Sequence, residues 1–526
     1  MTQPVDIEQP DRQGEVVAFL SNSASYGCTG LVERIETHAA IVFLVADRAY
    51  KLKRAVRYPY LDFSTASKRK EACETELALN RRTAPDLYLE TSFVGRGPDG
   101  RLALGKGEPV DWLIVMRRFA SDCLMDTMAK RGSLDPAMLR QLADAIARFH
   151  DLAEIVADEG SSRVARVIEG NRASMLALSP GTLDAGLCEV LFDESRVLLE
   201  RLSPLLDRRA AEGFVRRCHG DMHLANICIW QGKPTLFDCL EFDADLATSD
   251  VLYDLAFLLM DIWQRGLQKE ASLVFNRYCD RRGEVSGLAA LPLFLSMRAA
   301  VRSHVEASAA AGQADRWARE AKLTRARDYL AGAIALLKQP VPRLIAVGGI
   351  SGSGKSTLAA NLAPHIGAAP GARWLRTDVL RKQLAGVDPE TPLPNSAYTT
   401  AAHEAVYSAL TARAGETLRA GWPVIVDAVF DLPETRNRVE AIAAEMGVPF
   451  TGLWLEASRE ILLARVRSRT GDASDAGPQI VDKQLERDIG SLGSWHVVES
   501  GGSVAGTLDC ARAFIQDGRR CELRRR

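Results

Sequence analysis

Apolar and polar positions follow two different rhythms along the chain. Residues 1–30 are polar, with one short helical pattern over 14–20. Runs over 31–36, 40–45 and 49–53 have strand character, and Ala46-Asp47-Arg48 between the last two reads as a hairpin turn. A helical run over 67–82 follows, then strand-like runs over 88–94 and 112–116. From about 136 the spacing is helical, with helices predicted over 138–150, 163–178 and 187–205. Gln231-Gly232-Lys233-Pro234 reads as a second hairpin turn, with 235–238 returning as a strand. Helices, one of them over 293–307, continue to about 337. Lys338-Gln339-Pro340-Val341-Pro342 breaks the pattern, since two prolines leave no room for a helix. Beyond it, strands at 344–347, 374–377, 424–426, 452–455 and 496–498 alternate with helices, which predicts a parallel sheet covered on both faces.

The expected organisation is therefore α/β and α+β in two domains. The first spans 1–338, with lobes of about 30–120 and 121–338, and 339–342 is a linker. The second spans 343–515, and 516–526 is a basic tail. At 526 residues the chain is too long for one core. The apolar and charged shares, 47% and 25%, are those of a soluble globular protein, and a net charge of −2 draws it to neither nucleic acid nor membrane. The ten cysteines form no CxxC pair, and Cys218, Cys228 and Cys239 fall in one apolar region. Reduced, buried thiols in a cytoplasmic protein are expected, with no disulfide framework or zinc site. The N-terminal residues lack the basic and apolar regions of a signal peptide, and no apolar run reaches the ~20 residues of a membrane span.

The most specific pattern is Gly349-x-x-x-x-Gly354-Lys355-Ser356, set between the strand run and a helix-like run from Leu358. Strand, glycine loop and helix are the context a P-loop requires. The backbone of Gly349, Ile350, Ser351, Gly352, Ser353, Gly354, Lys355, Ser356 and Thr357 would curl N–H groups around phosphates at a helix N-terminus. Lys355 would reach the β- and γ-phosphates, and the Ser356 hydroxyl would ligate Mg²⁺. The cofactors expected are ATP and Mg²⁺. Asp378 and Asp427 end strands, where ligands of open α/β sheets gather, so both converge with Lys355, and Arg381 stands one turn after Asp378. Arg465 and Arg469 lead into the polar loop 471–476 as a lid that clamps phosphates.

A second constellation lies upstream. In His219-Gly220-Asp221-x-x-x-x-Asn226, Asp221 and Asn226 are five apart, and Asp238 ends the next strand. This is the spacing of a kinase catalytic loop, with Asp221 orienting the acceptor hydroxyl and Asn226 and Asp238 holding Mg²⁺. The plainer alternative is a loop whose Asp and Asn cap turns. Ala49, Lys51 and Lys53 share one face of a strand, Lys51 fitting best as a cation for phosphates and Lys53 second. Taken alone, that stretch reads rather as an exposed strand edge guarded by lysines. Glu76 shares a helical face with Ala72, Cys73 and Leu79 and is expected to point inward to pair with the lysine, whereas Glu71 and Glu74 look solvated.

These residues, with Phe237-Asp238 and Tyr253-Asp254-Leu255-Ala256, resemble the aminoglycoside phosphotransferase and choline-kinase-like group over roughly 30–335. The resemblance implies a protein-kinase fold, Asp221 as catalytic base, Asn226 and Asp238 as metal ligands, and a structural Asp254. Two departures matter: Gly220 stands where protein kinases carry Arg, and no G-x-G-x-x-G occurs near residue 30, which leaves the turn at 37–40 as the phosphate cover. Glu241, Asp243, Asp245 and Asp250 offer an acidic rim for a cationic acceptor, while Arg298 and Arg302 offer cations for an anionic one. Solvated surface is the preferred reading of both sets.

The stretch 343–515 resembles the small P-loop kinases, such as polynucleotide kinase, gluconate kinase, chloramphenicol phosphotransferase and the zeta toxin. That resemblance implies Asp378 as activator of an acceptor hydroxyl and Arg381 as an acceptor contact; Asp427, at its strand end, is expected to contact the substrate. The whole order resembles bacterial fusions of a phosphotransferase domain with an AAA-family ATP-binding domain. The expected function is a tandem ATP-dependent phosphotransferase acting on hydroxyls of small molecules. One alternative has a single active kinase with the other domain a nucleotide sensor or ATPase. A nucleic-acid end kinase ranks lower, because it would want a basic strip with interleaved aromatics, and the basic tail with Arg519-Arg520 and Arg524-Arg525-Arg526 reads as solvated.

Overall fold

The computed structural model describes residues 10–37, 39–58, 61–157, 159–178, 181–468 and 473–517. They form two compact units. One comprises Met1–Asp261 with Met297–Leu330, and the other Ile262–Ser296 with Ala331–Arg526.

The first unit contains an antiparallel sheet of six strands. Their order is Glu33–Glu36, Ala40–Val45, Arg48–Lys53, Glu108–Arg117, Tyr88–Arg96 and Leu102–Leu104. Alternation along the strands divides the apolar residues between two faces. Leu113 and Val115 pack on one face with Val16 and Leu20 of the helix Pro10–Leu20. Ile114 and Met116 pack on the other with Ala49 and Cys73. Strand Arg48–Lys53 pairs on both sides, Lys51 lying opposite Val42 and Ile114. The guarded-edge reading of its lysines is therefore corrected: the strand is internal.

The helix Ala66–Asn80 starts at Thr65, whose hydroxyl accepts from the Lys68 amide at 3.3 Å. Its buried residues, Arg69, Cys73, Glu76 and Asn80, recur at helical spacing and are mostly polar. Such a face is stable only because each polar group has a partner; Arg69 Nε, for instance, donates to Asp111 at 2.6 Å. The α-helical part of the unit includes Pro136–Leu152, capped by Asp135, and Ala185–Ala211, which runs through Pro204. The hairpin after the catalytic-type loop joins Ile227–Trp230 to Lys233–Leu236. Its loop is only Gln231-Gly232, both at positive φ (+49° and +77°), as a type I′ turn needs.

The second unit is built on a parallel sheet in the order Arg373–Arg376, Val424–Asp427, Leu344–Gly349, Phe450–Glu456, His496–Glu499. Leu344 and Ala346 face one apolar core, with Trp454 and Trp495. Ile345 and Val347 face the other, with Leu358 and Phe514. A strand buried on both faces reads as a continuous apolar run, as this one does. Strand Arg373–Arg376 ends before Thr377, so Asp378 lies in the first turn of the helix Thr377–Leu384 and not on the strand.

Helix Gln268–Arg282 also belongs to this unit, lying beside the edge strand. Asn276 Nδ2 donates to the Ala372 carbonyl at 3.2 Å, and its Oδ1 accepts from the Trp374 amide at 2.7 Å. The side-chain amide thus pairs with the strand edge as a neighbouring strand would. Arg373, itself buried, donates to Asn276 and forms an ion pair with Asp280. The proline-containing segment 339–342 lies within this unit. No described helix is long and apolar enough to cross a membrane, and the nine described cysteines, seven of them buried, form no disulfide with one another.

Candidate active sites in the two units

In the first unit the loop at 218–226 is held from below by Asp254. Its carboxylate accepts from the amides of His219 (3.1 Å) and Gly220 (2.8 Å), and His150 Nε2 lies 3.1 Å away. Arg298 Nη1 donates to the Gly220 carbonyl at 3.0 Å while its guanidinium stacks on Tyr253. Gly220 has φ +81°, and a Cβ there would come within 2.9 Å of Leu240 Cβ. Only glycine fits that backbone without strain, which is why the arginine of protein kinases has no place here.

The loop so held presents Asp221. Asn226 Nδ2 donates to its Oδ2 at 2.8 Å and to its carbonyl at 2.9 Å, and His223 Nε2 stands 3.5 Å from the same Oδ2. Enclosure raises the Asp221 carboxyl, but His223 foremost, with His219 and Arg302, outweighs it and holds the group well below the usual carboxylate range. Burial lowers the His223 imidazole, and Asp221 reverses that and raises it. Asp221 is thus a committed carboxylate, suited to orienting a hydroxyl more than to stripping it. That suffices for a loose phosphoryl-transfer transition state, in which the acceptor loses its proton late.

The same unit holds a chain of alternating charges. Lys51 Nζ donates to Glu76 Oε1 at 2.8 Å and to Asp238 Oδ1 at 2.5 Å. Lys53 contacts the other Glu76 oxygen, Oε2, and also Glu241. Burial lowers Lys51, yet Asp238 and Glu76 outweigh it and keep the ammonium charged. Burial raises Glu76, and the two lysines overcome it, bringing the carboxyl down to about 2. Asp238 itself is 41% exposed, in contrast to Glu76 at 0%, so it remains available to a ligand. Its backbone is left-handed, with φ +58°.

Of the residues predicted here, Lys51, Glu76 and Asp238 come together, as do Asp221 and Asn226. Lys53 joins them more deeply than its second place suggested. Asn80 and Tyr88 were missed. Asn80 Oδ1 accepts from the Cys239 amide at 2.9 Å, and the Tyr88 hydroxyl accepts from the Asp238 amide at 3.2 Å. The signal for Asn80 was its spacing of four from Glu76. The solvated-surface reading fails at several positions: Glu241 is on Lys53, Asp250 is buried against Arg209 at 2.7 Å, and Arg298 is buried under the loop. Asp245 pairs with Arg163, and Arg302 with Glu306. The turn at 37–40 includes residue 38, which lies outside the described residues.

In the second unit the P-loop takes the expected form. Gly349 (φ +137°) and Gly352 (φ +86°) adopt backbone that side chains avoid, and a Cβ would meet Leu455 O at 2.7 Å and Leu462 O at 2.6 Å. The Ser356 hydroxyl donates to Asp427 Oδ2 at 2.7 Å, and Arg376 Nε lies 3.9 Å from that oxygen. Lys355 Nζ donates to the Ile350 carbonyl at 3.0 Å. Burial raises the Asp427 carboxyl against the pull of Arg376 and Lys355. Asp427, read from sequence as a substrate contact, thus lies on the Ser356 hydroxyl. Gly349, Ile350, Ser351, Gly352, Ser353, Gly354 and Thr357 complete the loop and the first helical turn.

Arg381 follows Asp378 by one turn and is buried. Its Nη1 donates to the Ala397 carbonyl at 3.2 Å, its Nη2 lies 3.4 Å from His403 Nδ1, and its guanidinium covers Tyr398. Arg465 Nη2 donates to the Ser500 carbonyl at 2.7 Å, beside a cleft of about 110 Å³ that Ser353, Thr357, Asn361 and Leu508 also line. Arg469 lies outside the described residues. Asp475 accepts from Lys382 Nζ and Tyr398 Oη, both at 2.5 Å.

Residues 125–288 match the profile of the phosphotransferase enzyme family, and 344–488 that of an AAA domain. Both matches support phosphotransferase activity. An uncharacterized protein of Mycobacterium tuberculosis, Rv2004c, is 30% identical over 453 residues, which are 85% of this chain and 88% of that protein. Its counterpart Mb2027c in Mycobacterium bovis matches to the same extent, 30% over 453 residues, with the same coverage of 85% and 88%. Among solved structures, a choline/ethanolamine kinase family protein from Mesorhizobium loti is 15% identical and covers 62% of this chain and 99% of its own, with a TM-score of 0.35. A gluconokinase from Sinorhizobium meliloti is 24% identical and covers 34% and 92%, with a TM-score of 0.25.

Proposed function

This chain belongs to the family of those mycobacterial proteins, and we propose that it is a tandem phosphotransferase, each unit moving the γ-phosphoryl of ATP to a hydroxyl of a small molecule. The observation that carries the reading is Lys51 gripped between Glu76 and Asp238. A lysine held charged by two carboxylates, one of them exposed, is arranged to meet phosphate oxygens and a cation. A domain that only bound a partner would have no need of it.

The donor sets fit Mg²⁺, a hard cation that takes oxygen ligands. Asp238 with Asn226 would hold it in the first unit, and Ser356 with Asp427 on the same side of the P-loop in the second. Bound MgATP supplies the phosphoryl group and neutralises the charge that develops on its oxygens. The protein's own work is positioning. Asp221, fixed by Asn226 and by the Asp254-anchored backbone, aligns one acceptor hydroxyl. Asp378, one turn from the buried Arg381, aligns the other. The cleft beside Arg465 is the proposed seat of the nucleoside.

The reading is tested with labelled γ-phosphoryl ATP, Mg²⁺ and a small-molecule extract. The intact protein, Asp221→Asn and Asp378→Asn are compared. Two labelled products, each lost with one variant, are expected. One product lost with one variant only would leave the other unit a nucleotide sensor or ATPase and would end the tandem reading.

A further inference from the structure

The alternating chain runs Asp238, Lys51, Glu76, Lys53, Glu241, and only the Lys51–Glu76 part of it is needed to place a cation near phosphates. The remainder, buried Lys53 and largely covered Glu241, is charge that no step above uses. Two buried ions cost desolvation free energy and are a poor way to gain stability. Their position suggests another use. Glu241 lies three residues beyond Asp238, in a stretch with neither helix nor strand. That stretch is fastened at four successive points. Asp238 is held through Lys51 and through its amide on Tyr88, Cys239 through its amide on Asn80, Leu240 through its amide on the His219 carbonyl at 2.9 Å, and Glu241 through Lys53. Asp238 keeps a left-handed backbone, with φ +58°, which persists only where the surroundings over-determine it.

We propose that Lys53 and Glu241 are positioning residues: together they anchor the far end of the 238–241 segment and so aim the Asp238 carboxylate. Glu76 makes the coupling direct. Its two oxygens are divided between the lysines, Oε1 to Lys51 and Oε2 to Lys53. When Lys51 leaves Asp238 for a phosphate, Lys53 still holds Glu76, and Glu241 still holds the segment. The proposal rests on Asp238 being a metal ligand, as read above.

The test uses the full chain carrying Lys355→Ala, so that the P-loop does not contribute to nucleotide binding. Glu241→Gln and Lys53→Met are made in it, with the paired Lys53→Met/Glu241→Leu, which removes both charges at once, in reserve for misfolding. Two readouts are taken. Amide hydrogen exchange at Asp238 and Cys239 is followed without metal, and Mg²⁺ is titrated against ATP binding. Exchange at those two amides should accelerate at least about tenfold, with the other amides of the unit unchanged. The Mg²⁺ needed for half-maximal binding should rise about tenfold, the usual scale for losing a group that orients a metal ligand. Exchange at Asp238 and Cys239 within about twofold of the parent, or faster exchange throughout the unit, would overturn the proposal. If the parent binds no ATP with Mg²⁺, the kinase reading of this site fails, while the exchange data still decide whether the anchor exists.

Discussion

The Ser356 hydroxyl donates to Asp427 Oδ2 at 2.7 Å, joining the first turn of the P-loop helix to the end of the neighbouring strand. The two residues are 71 apart in sequence. Parallel pairing of Leu344–Gly349 with Val424–Asp427 brings them together, because Val347 lies opposite Asp427 in register. Asp427 is buried and would be costly there without a hydroxyl, Arg376 and Lys355 around it.

Asp427→Asn should therefore weaken Mg²⁺-dependent ATP binding by the second unit by about 10- to 100-fold, the range for groups that orient a metal ligand. Metal-free folding should hardly change, since the amide still accepts from Ser356. Calorimetric titration of ATP with and without Mg²⁺, in a Lys51→Met background that weakens ATP binding by the first unit, separates the two. Equal loss under both conditions would refute a metal-side role.

Helix Gln268–Arg282 makes a second prediction, on folding. Asp280 balances Arg373, which is buried inside the second unit. Asp280→Ala leaves that cation unpaired, and breaking a buried pair in this way costs roughly 3–5 kcal/mol. A fragment limited to 343–526 also loses Asn276, which covers the edge-strand amide of Trp374 and the carbonyl of Ala372. It should melt well below a fragment pair that retains 262–296, as scanning calorimetry would show. Equal melting would mean that the helix contributes nothing.

How far the sequence could be read is clear from these residues. The P-loop and the Asp221–Asn226 spacing were legible because each is local: a few residues and one turn fix the geometry. The double-faced strand Leu344–Gly349 was legible as a continuous apolar run before a glycine loop. Helix Gln268–Arg282 was not assigned to its unit, because its decisive residues, Asn276 and Asp280, look like any polar helix surface until strand Arg373–Arg376 is beside them. The same holds for Glu241, Asp250 and Arg298. Charged residues are mostly solvated, so that expectation is reasonable for each alone. It fails where a partner distant in sequence, here Lys53, Arg209 or the Gly220 carbonyl, makes burial tolerable.

Gly220→Ala should disable the first site alone. Its φ of +81° penalises any side chain by about 1 kcal/mol, and the added Cβ would press on Leu240. Relief requires moving the backbone that carries Asp221 and that Asp254 holds through the 219 and 220 amides. Transfer dependent on Asp221 should fall at least about tenfold, while the product dependent on Asp378 is unaffected. Product-resolved assays of the intact chain report both at once, and loss of both products would point to general unfolding instead.

The Asp221–His223 pair carries a pH dependence whose sign follows from its two shifts. His223 is raised in the folded protein, so its contribution is complete below the unfolded value of about 6.5 and is lost as pH rises through the folded value. Asp221 is lowered, so its contribution is complete above the unfolded value of about 3.9 and is lost as pH falls through the folded value. The pair is therefore worth most between about pH 4 and 6.5. In Asp221→Asn the imidazole keeps its burial and loses its largest favourable neighbour, so its midpoint should drop below that of the parent. Titration of the His223 ring by NMR in parent and variant checks this. An unchanged midpoint would show that Asp221 does not face the imidazole, and with it the orientation assigned to the Asp221 carboxylate would be lost.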